Sequence, residues 1–194
     1  MAHGLLTLLT LFSVSSRLTQ ASCSQNAFYL DDQMSGWEFY GNTIINATTG
    51  VLLGGGRRNK IYNNYFLNND NDIHFDDRGL TWQLDYCAAN CSGGHTPKGD
   101  TNPACFRRAL EALNYTLPPY STAYGGVLPH IFEDASDPCV PIDNVVANNT
   151  YCHTQSVGGG QFIDATAAQV EAWHSTLEGN VEDCHPQTTA ALQP

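Results

Sequence analysis

Basic residues are scarce: eight Lys and Arg stand against 19 Asp and Glu, for a formal charge of −11. Such a surface repels phosphate backbones, which excludes nucleic acid as a partner. Long apolar runs are missing as well. Residues 5–14, LLTLLTLFSV, are too few to span a bilayer, and no later run is apolar enough for a membrane helix. The cysteines lack zinc-like spacing, because Cys87, Cys91 and Cys105 have no fourth ligand at a suitable interval. Gly158-Gly159-Gly160 lacks the lysine and the strand-to-helix context of a phosphate loop, so it reads as a turn. Between residues 26 and 82 no segment is long enough for a crossover helix.

What the chain does have is a repeat. Phe28-Tyr29-Leu30-Asp31-Asp32, Val51-Leu52-Leu53-Gly54-Gly55 and Ile73-His74-Phe75-Asp76-Asp77 recur at spacings of 23 and 22 residues. The segments from Gly36 and Arg58 repeat in the same way, with matching asparagines at Asn42 and Asn64 and at Asn46 and Asn68. Each period holds about three short β-rich runs separated by Asn, Gly or Asp, the pattern of a parallel β-helix whose coils bury their apolar edges only against one another. The inward columns are Phe28, Val51 and Ile73; Leu30, Leu53 and Phe75; and Phe39 with Ile61. Asn42 and Asn64 are expected to form an amide ladder inside one turn, with Asn46 and Asn68 forming a second.

The period stops at Gly79 and returns at Asp143, which makes residues 79–141 an insertion between coils. Within it, Ala104 to Leu113 has helical periodicity through Phe106, Ala109, Leu110 and Leu113. Tyr115, Tyr120 and Tyr124 are either sugar-stacking platforms or loop packing. A second short helix is predicted over Ala165 to Thr176, capped by Asp164 or Thr166, with Val170 and Trp173 on its apolar side and covering the lower end of the solenoid.

Residues 1–21 read as a secretory signal ending at Ala21. That leaves a single domain over 22–186 and a tail at 187–194. Seven cysteines and sequons at Asn46, Asn90, Asn114 and Asn148 agree with a secreted, disulfide-bonded glycoprotein. The pairing is open, and the odd count leaves one cysteine over. No capping element stands ahead of the first strand, so this reading calls for a partner or further coils over the N-terminal end.

Strand alternation sends Tyr29 and Asp31 outward from the first rung, Leu52 and Gly54 from the second, and His74 and Asp76 from the third. With rungs about 4.8 Å apart, the backbones of Asp31 and Asp76 fall roughly 9–10 Å apart across the gap at Gly54. That separation suits an inverting glycosidase, which needs room for a water between its two carboxyls. The catalytic candidates are therefore Asp31, Asp76 and His74. The substrate-binding candidates are Tyr29, Arg57, Asp77, Arg78 and Trp82, with no metal assigned. The plainer reading is that Asp-Asp pairs form turns and that Arg78 holds the carboxylates in place.

The motifs YLDD at Tyr29 to Asp32, GGGRRN at Gly54 to Asn59, and HFDDRGLTW at His74 to Trp82 resemble those of secreted right-handed parallel β-helix proteins of the pectin-lyase-like superfamily. The resemblance implies an all-β, right-handed parallel β-helix of about three to four coils acting on a polysaccharide or glycan. Hydrolysis by the carboxylate pair would need no cofactor. The alternative, a polysaccharide lyase or uronate epimerase, would use Arg78 or His74 as base and Ca2+ or another divalent cation held by Asp76 or Asp77. A third reading is a module that binds glycan without cleaving it. Members of the group carry more coils before the YLDD strand, and activity depends on the groove those coils help to form.

Overall fold

A computed structural model describes residues 15–17, 26–87, 106–123, 139–154 and 159–185. Its strands form three parallel sheets wound as a right-handed β-helix. The first sheet runs β1 (Ser15–Arg17), β4 (Thr43–Ile45), β7 (Tyr65–Leu67), β10 (Thr150–Cys152) and β13 (Val181–Glu182). The second holds β2 (Asn26–Leu30), β5 (Thr49–Gly54), β8 (Asn71–Asp76) and β11 (Gln161–Asp164), and the third β3 (Glu38–Tyr40), β6 (Lys60–Tyr62), β9 (Val145–Ala147) and β12 (Thr176–Glu178). Of the segment predicted as a leader, Ser15–Arg17 pair with β4. Residues 1–14 and 18–21 lie outside the described residues, as does the predicted tail.

The columns stack as the repeat predicts. Phe28 pairs with Val51 and Val51 with Ile73, while Leu30, Leu53 and Phe75 follow in the next inward column. Val51, Leu53, Ile73 and Phe75 are buried with Phe39, Ile44, Ile61, Phe66 and Val146 in one apolar core. Each strand adds apolar atoms to a column that only the neighbouring rung can cover, so burial and register enforce each other.

At the corners, side-chain amides replace backbone partners. Asn64 Oδ1 accepts from the backbone amide of Asn42 at 3.0 Å, and Asn64 Nδ2 donates to the Phe39 carbonyl at 3.1 Å. Asn149 does the same for Asn64 and Ile61, and Asn180 for Asn149 and Val146. A second corner carries Asn59 and Asn144, which accept from the amides of Trp37 and Asn59. The third corner corrects the expected pairing of Asn46 with Asn68. It is Asn69, fully buried, that accepts from Ala47, whereas Asn46 is exposed with φ +58° and Asn68 has φ +54°. Asn46 and Asn68 turn the chain through the left-handed region that Asn tolerates, and the buried amide falls one residue later.

Beyond β8 the spacing lengthens. Lys60 pairs with Val145, an offset of 85 residues where Glu38 and Lys60 differ by 22, so the 63 additional residues leave the solenoid and rejoin it one coil on. Inside this excursion lie α1 (Leu84–Cys87), α2 (Phe106–Ala112) and α3 (Tyr120–Ala123). α2 occupies the predicted stretch, but none of its residues is buried and Leu113 is exposed. Tyr115 is buried and Tyr120 half-buried; Tyr124 lies outside the described residues.

The predicted C-terminal helix is α4 (Ala167–Ala172), opened by a capping box between Thr166 and Gln169. It bulges from the last coil between β11 and β12, lengthening the Val145 to Thr176 offset to 31 residues, and β12 and β13 follow it. Its buried Val170 and Trp173 face inward, the Trp173 ring stacking on Phe75 at 6.0 Å.

Disulfides join Cys87 to Cys139 and Cys152 to Cys184. They place the chain in an oxidising compartment outside the cytosol. Cys23, Cys91 and Cys105 lie outside the described residues. No helix among the described residues is long and apolar enough to cross a membrane.

Two predictions follow from the corners and the core edge. Asn64→Ala leaves the amide of Asn42 and the carbonyl of Phe39 without their side-chain partners in a buried turn, and urea melts should report a loss of about 3 kcal/mol. A loss below roughly 0.5 kcal/mol would show the ladder to be incidental. The second concerns Asp72, fully buried and hydrogen-bonded to Asn69 and to His153 Nε2, each at 2.8 Å. Burial pushes its carboxyl up to about 6, against the opposing pull of Asn69 and His153. The native state thus binds a proton that the unfolded chain releases. Asp72's contribution to stability is therefore greatest at low pH and declines as pH rises from about 4 to 6. The stability of the parent chain relative to Asp72→Asn should fall across that interval, and a flat or rising difference would contradict the assignment.

Candidate functional site

Tyr29, Leu52, His74 and Asp164 stand in register up the outer wall of the second sheet. Beside them Gly54 pairs with Asp76, and Asp31 follows directly after β2. The gap over Gly54, expected to be an open cleft, is filled by Arg78.

After β8 the chain turns at Asp77 and sends the Arg78 side chain back across the sheet. The Leu80 amide donates to the Asp77 carbonyl, and the Thr81 and Gln83 amides donate to the Arg78 carbonyl. The guanidinium is fully buried. Its Nε and Nη2 donate to Asp76 Oδ2 at 3.0 and 2.6 Å, Nη1 donates to Asp31 at 2.9 Å and to Asp32 at 3.3 Å, and Nη2 also donates to the Tyr29 hydroxyl at 3.2 Å. Tyr29 and Trp82 place their rings 5.8 and 5.0 Å from its central carbon, and the Trp82 Nε1 donates to Asp76 Oδ1 at 3.3 Å. A planar fork with five donors is suited to bridging several carboxylates, which a lysine could not do.

The electrostatics follow from this contact set. For Asp31, burial alone would raise the carboxyl, but hydrogen bonds from Arg78, the Asp32 amide and Tyr29, with the charge of Arg78, bring it below the ordinary value. For Arg78, burial would favour the neutral form, yet its bonds to Asp31, Tyr29 and Asp76 hold it charged more firmly than usual. Asp31 and Asp76 are therefore two ligands of one cation. The rings of Tyr29 and Trp82, 46 % and 54 % exposed, remain open to solvent on either side.

His74 joins a different group. Its Nδ1 lies 2.5 Å from Asp164 Oδ2, and among the described residues its Nε2 has no partner. Both residues line a groove of about 420 Å³ between β8, β11 and the start of α4, together with Asp77, Gln161, Thr166 and Gln169. The structure thus gathers Tyr29, Asp31, Asp76, Arg78 and Trp82 at one centre and places His74 and Asp77 at the adjoining groove. Arg57 belongs to neither: it is buried in the turn after β5, where its amide donates to Ser35 Oγ.

Sequence reasoning noted Asp164 only as a possible helix cap. It follows His74 by 90 residues, so no local motif joins the two. Aligning the Gln161–Asp164 strand on Asn71–Asp76 would have revealed the pair, but that alignment requires knowing how far the excursion displaces the register.

Gly54 tests how Arg78 is seated. A Cβ there would lie 2.7 Å from Arg78 Nη2 and 2.8 Å from the backbone carbonyl of Leu30, which the strand pairing holds in place. Gly54→Ala should lower stability by about 1–3 kcal/mol, as overpacking does, and should quench or shift the fluorescence of Trp82 as the guanidinium is displaced. An unchanged melting temperature and spectrum would mean that Arg78 does not rest on the sheet.

Residues 8–99, just under half of the chain, match the family model described as "Periplasmic copper-binding protein (NosD)". No curated protein and no solved structure matches the chain. Copper sites draw on imidazole and sulfur ligands. Among the described residues no three His, Cys, Asp or Glu side chains converge as a metal site would require, and His74 and His153 are each engaged by a single aspartate. The described residues therefore do not fit a copper centre. The match makes this chain similar, over those residues, to a family of β-helix type.

Proposed function

We propose that this is a secreted β-helix module that binds a glycan along the outer wall of its second sheet and does not cleave it with Asp31 and Asp76. The observation that carries this reading is the Arg78 centre: a fully buried guanidinium ligated by both carboxylates, with two exposed aromatic rings beside it.

An acid/base pair needs one carboxyl held neutral and the other ionised, with space for water between them. Here one cation satisfies both carboxylates, and Asp31 is held ionised. A patch tied together by one buried cation and flanked by amphipathic rings is instead suited to recognition: Tyr29 and Trp82 supply flat apolar faces, and the carboxylate oxygens not taken by Arg78 can accept from sugar hydroxyls. The neighbouring groove extends this surface along the stack, in the direction an oligosaccharide would run. The copper binding named for the NosD family model is not carried over, because the described residues assemble no ligand set for it.

A glycan array with the purified chain tests this reading. Retention of at least one oligosaccharide is expected, weakened about tenfold or more by Trp82→Ala or Tyr29→Ala, as for aromatic anchors elsewhere, with no new reducing ends released. Release of reducing ends that Asp31→Asn or Asp76→Asn abolishes would establish hydrolysis instead. No retention of any glycan would remove the proposal altogether.

A further inference from the structure

We infer that the groove beside His74 selects a sugar bearing a free amino group over the same sugar without one, and rejects sugar acids. The inference rests on the glycan reading above and deepens it by naming the class of ligand.

The argument begins with the charges that this wall presents. Its cation, Arg78, has no exposed surface and is spent on three carboxylates. The side chains of Asp31, Asp32 and Asp164 are 49 %, 70 % and 43 % exposed, and Asp77 is half-buried at the groove. Among the described residues, exposed positive charge lies on Lys60 and Arg58, which pair with Glu38 and Asp143 at the third sheet and its corner, and on Arg107 and Arg108 of α2, where Arg107 pairs with Glu111. The described residues that line the groove include the carboxylates of Asp77 and Asp164 and no lysine or arginine. A uronate carboxylate placed there would face like charge on every side, whereas an ammonium would find acceptors.

The groove has the shape and lining for such a ligand. Its walls are Asp164 and Asp77, His74, Gln161, Thr166 and Gln169, over an apolar floor that includes Ile163 and Ala165. Asp164 commits Oδ2 to His74, which fixes the carboxylate in place, and its other oxygen has no partner among the described residues. Asp77 is held by the Thr81 hydroxyl at 3.4 Å. Gln169 commits its carbonyl oxygen to Thr166 through the capping box, leaving its amide nitrogen to donate to a sugar oxygen. Two positioned carboxylates, an amide donor and an apolar floor match an amino sugar: ammonium to carboxylate, ring oxygens to amide, ring face to Ile163 and Ala165.

Calorimetric titration of the full chain with four hexasaccharides of equal length, β-1,4-linked glucosamine, its N-acetylated form, a neutral glucan and a galacturonate, separates the possibilities. The glucosamine oligomer should bind about threefold to tenfold more tightly than its N-acetylated form, a margin set by partly exposed ion pairs that shrinks as salt rises. The galacturonate should bind most weakly. Asp164→Asn and, independently, Asp77→Asn should erase most of that margin while leaving the N-acetylated oligomer's affinity unchanged. Glu178→Gln, on the exposed third sheet, serves as the control for overall charge and should leave the margin intact. Galacturonate binding at or above the level of glucosamine overturns the inference, as does a margin that survives both groove variants or falls equally in Glu178→Gln. Binding of the neutral oligomers without any glucosamine preference would overturn this inference and leave the glycan reading standing. Failure of all four to bind would overturn this inference, while the glycan array decides the wider reading.

Discussion

Backbone amides at the corners of each coil have no strand to pair with, and the structure depends on how they are satisfied. Asn64 and Asn149 solve the problem the same way, the carbonyl arm accepting from the turn of one coil and the amide arm donating to a carbonyl three residues earlier in that coil. Each asparagine is thus a staple between rungs as well as a turn residue. Since an unsatisfied buried amide costs about as much as a sizeable core truncation, the corners hold the register as firmly as the apolar columns do. The outer wall inherits that register, which is why residues 90 positions apart, His74 and Asp164, meet at hydrogen-bonding distance.

The Arg78 centre shows the same logic in ionic form. A guanidinium without solvent contact is tolerable only where its donors are met and its charge is opposed. The turn after β8 delivers Arg78 over Gly54, the one position in its column without a side chain, between the carboxylates of Asp31 and Asp76. What an outward column of Asp, Gly and Asp offered as a vacant cleft becomes a closed platform around one cation. The proposed recognition accordingly rests on the surrounding rings and on the negative charge left over, and far less on the proton chemistry of a carboxylate pair.

Much of this was legible in the residues. The spacings of 23 and 22 residues set Val51 over Phe28 and Ile73 over Val51 without ambiguity, because apolar alternation and turn asparagines agreed on one register. The inner ladder at Asn42 and Asn64 was readable for the same reason. The third corner was misplaced by one residue: Asn68 and Asn69 are adjacent and chemically identical, and only the backbone twist decides which amide points inward. The fold-back of Arg78 was not readable, since its turn belongs to no repeat. Asp164 and Asp72 escaped because they and their histidine partners fall outside the repeated apolar columns and turn asparagines that set the register.

The excursion between β8 and β9 departs and returns at one corner, and the bond between Cys87 and Cys139 closes its base. A protease that cleaved the backbone anywhere between those two cysteines would leave the coils before and after the cut covalently attached. Such a clip would show as two bands under reducing conditions and one without reductant. A cut in that long segment therefore leaves its two portions in a single molecule until the disulfide is reduced.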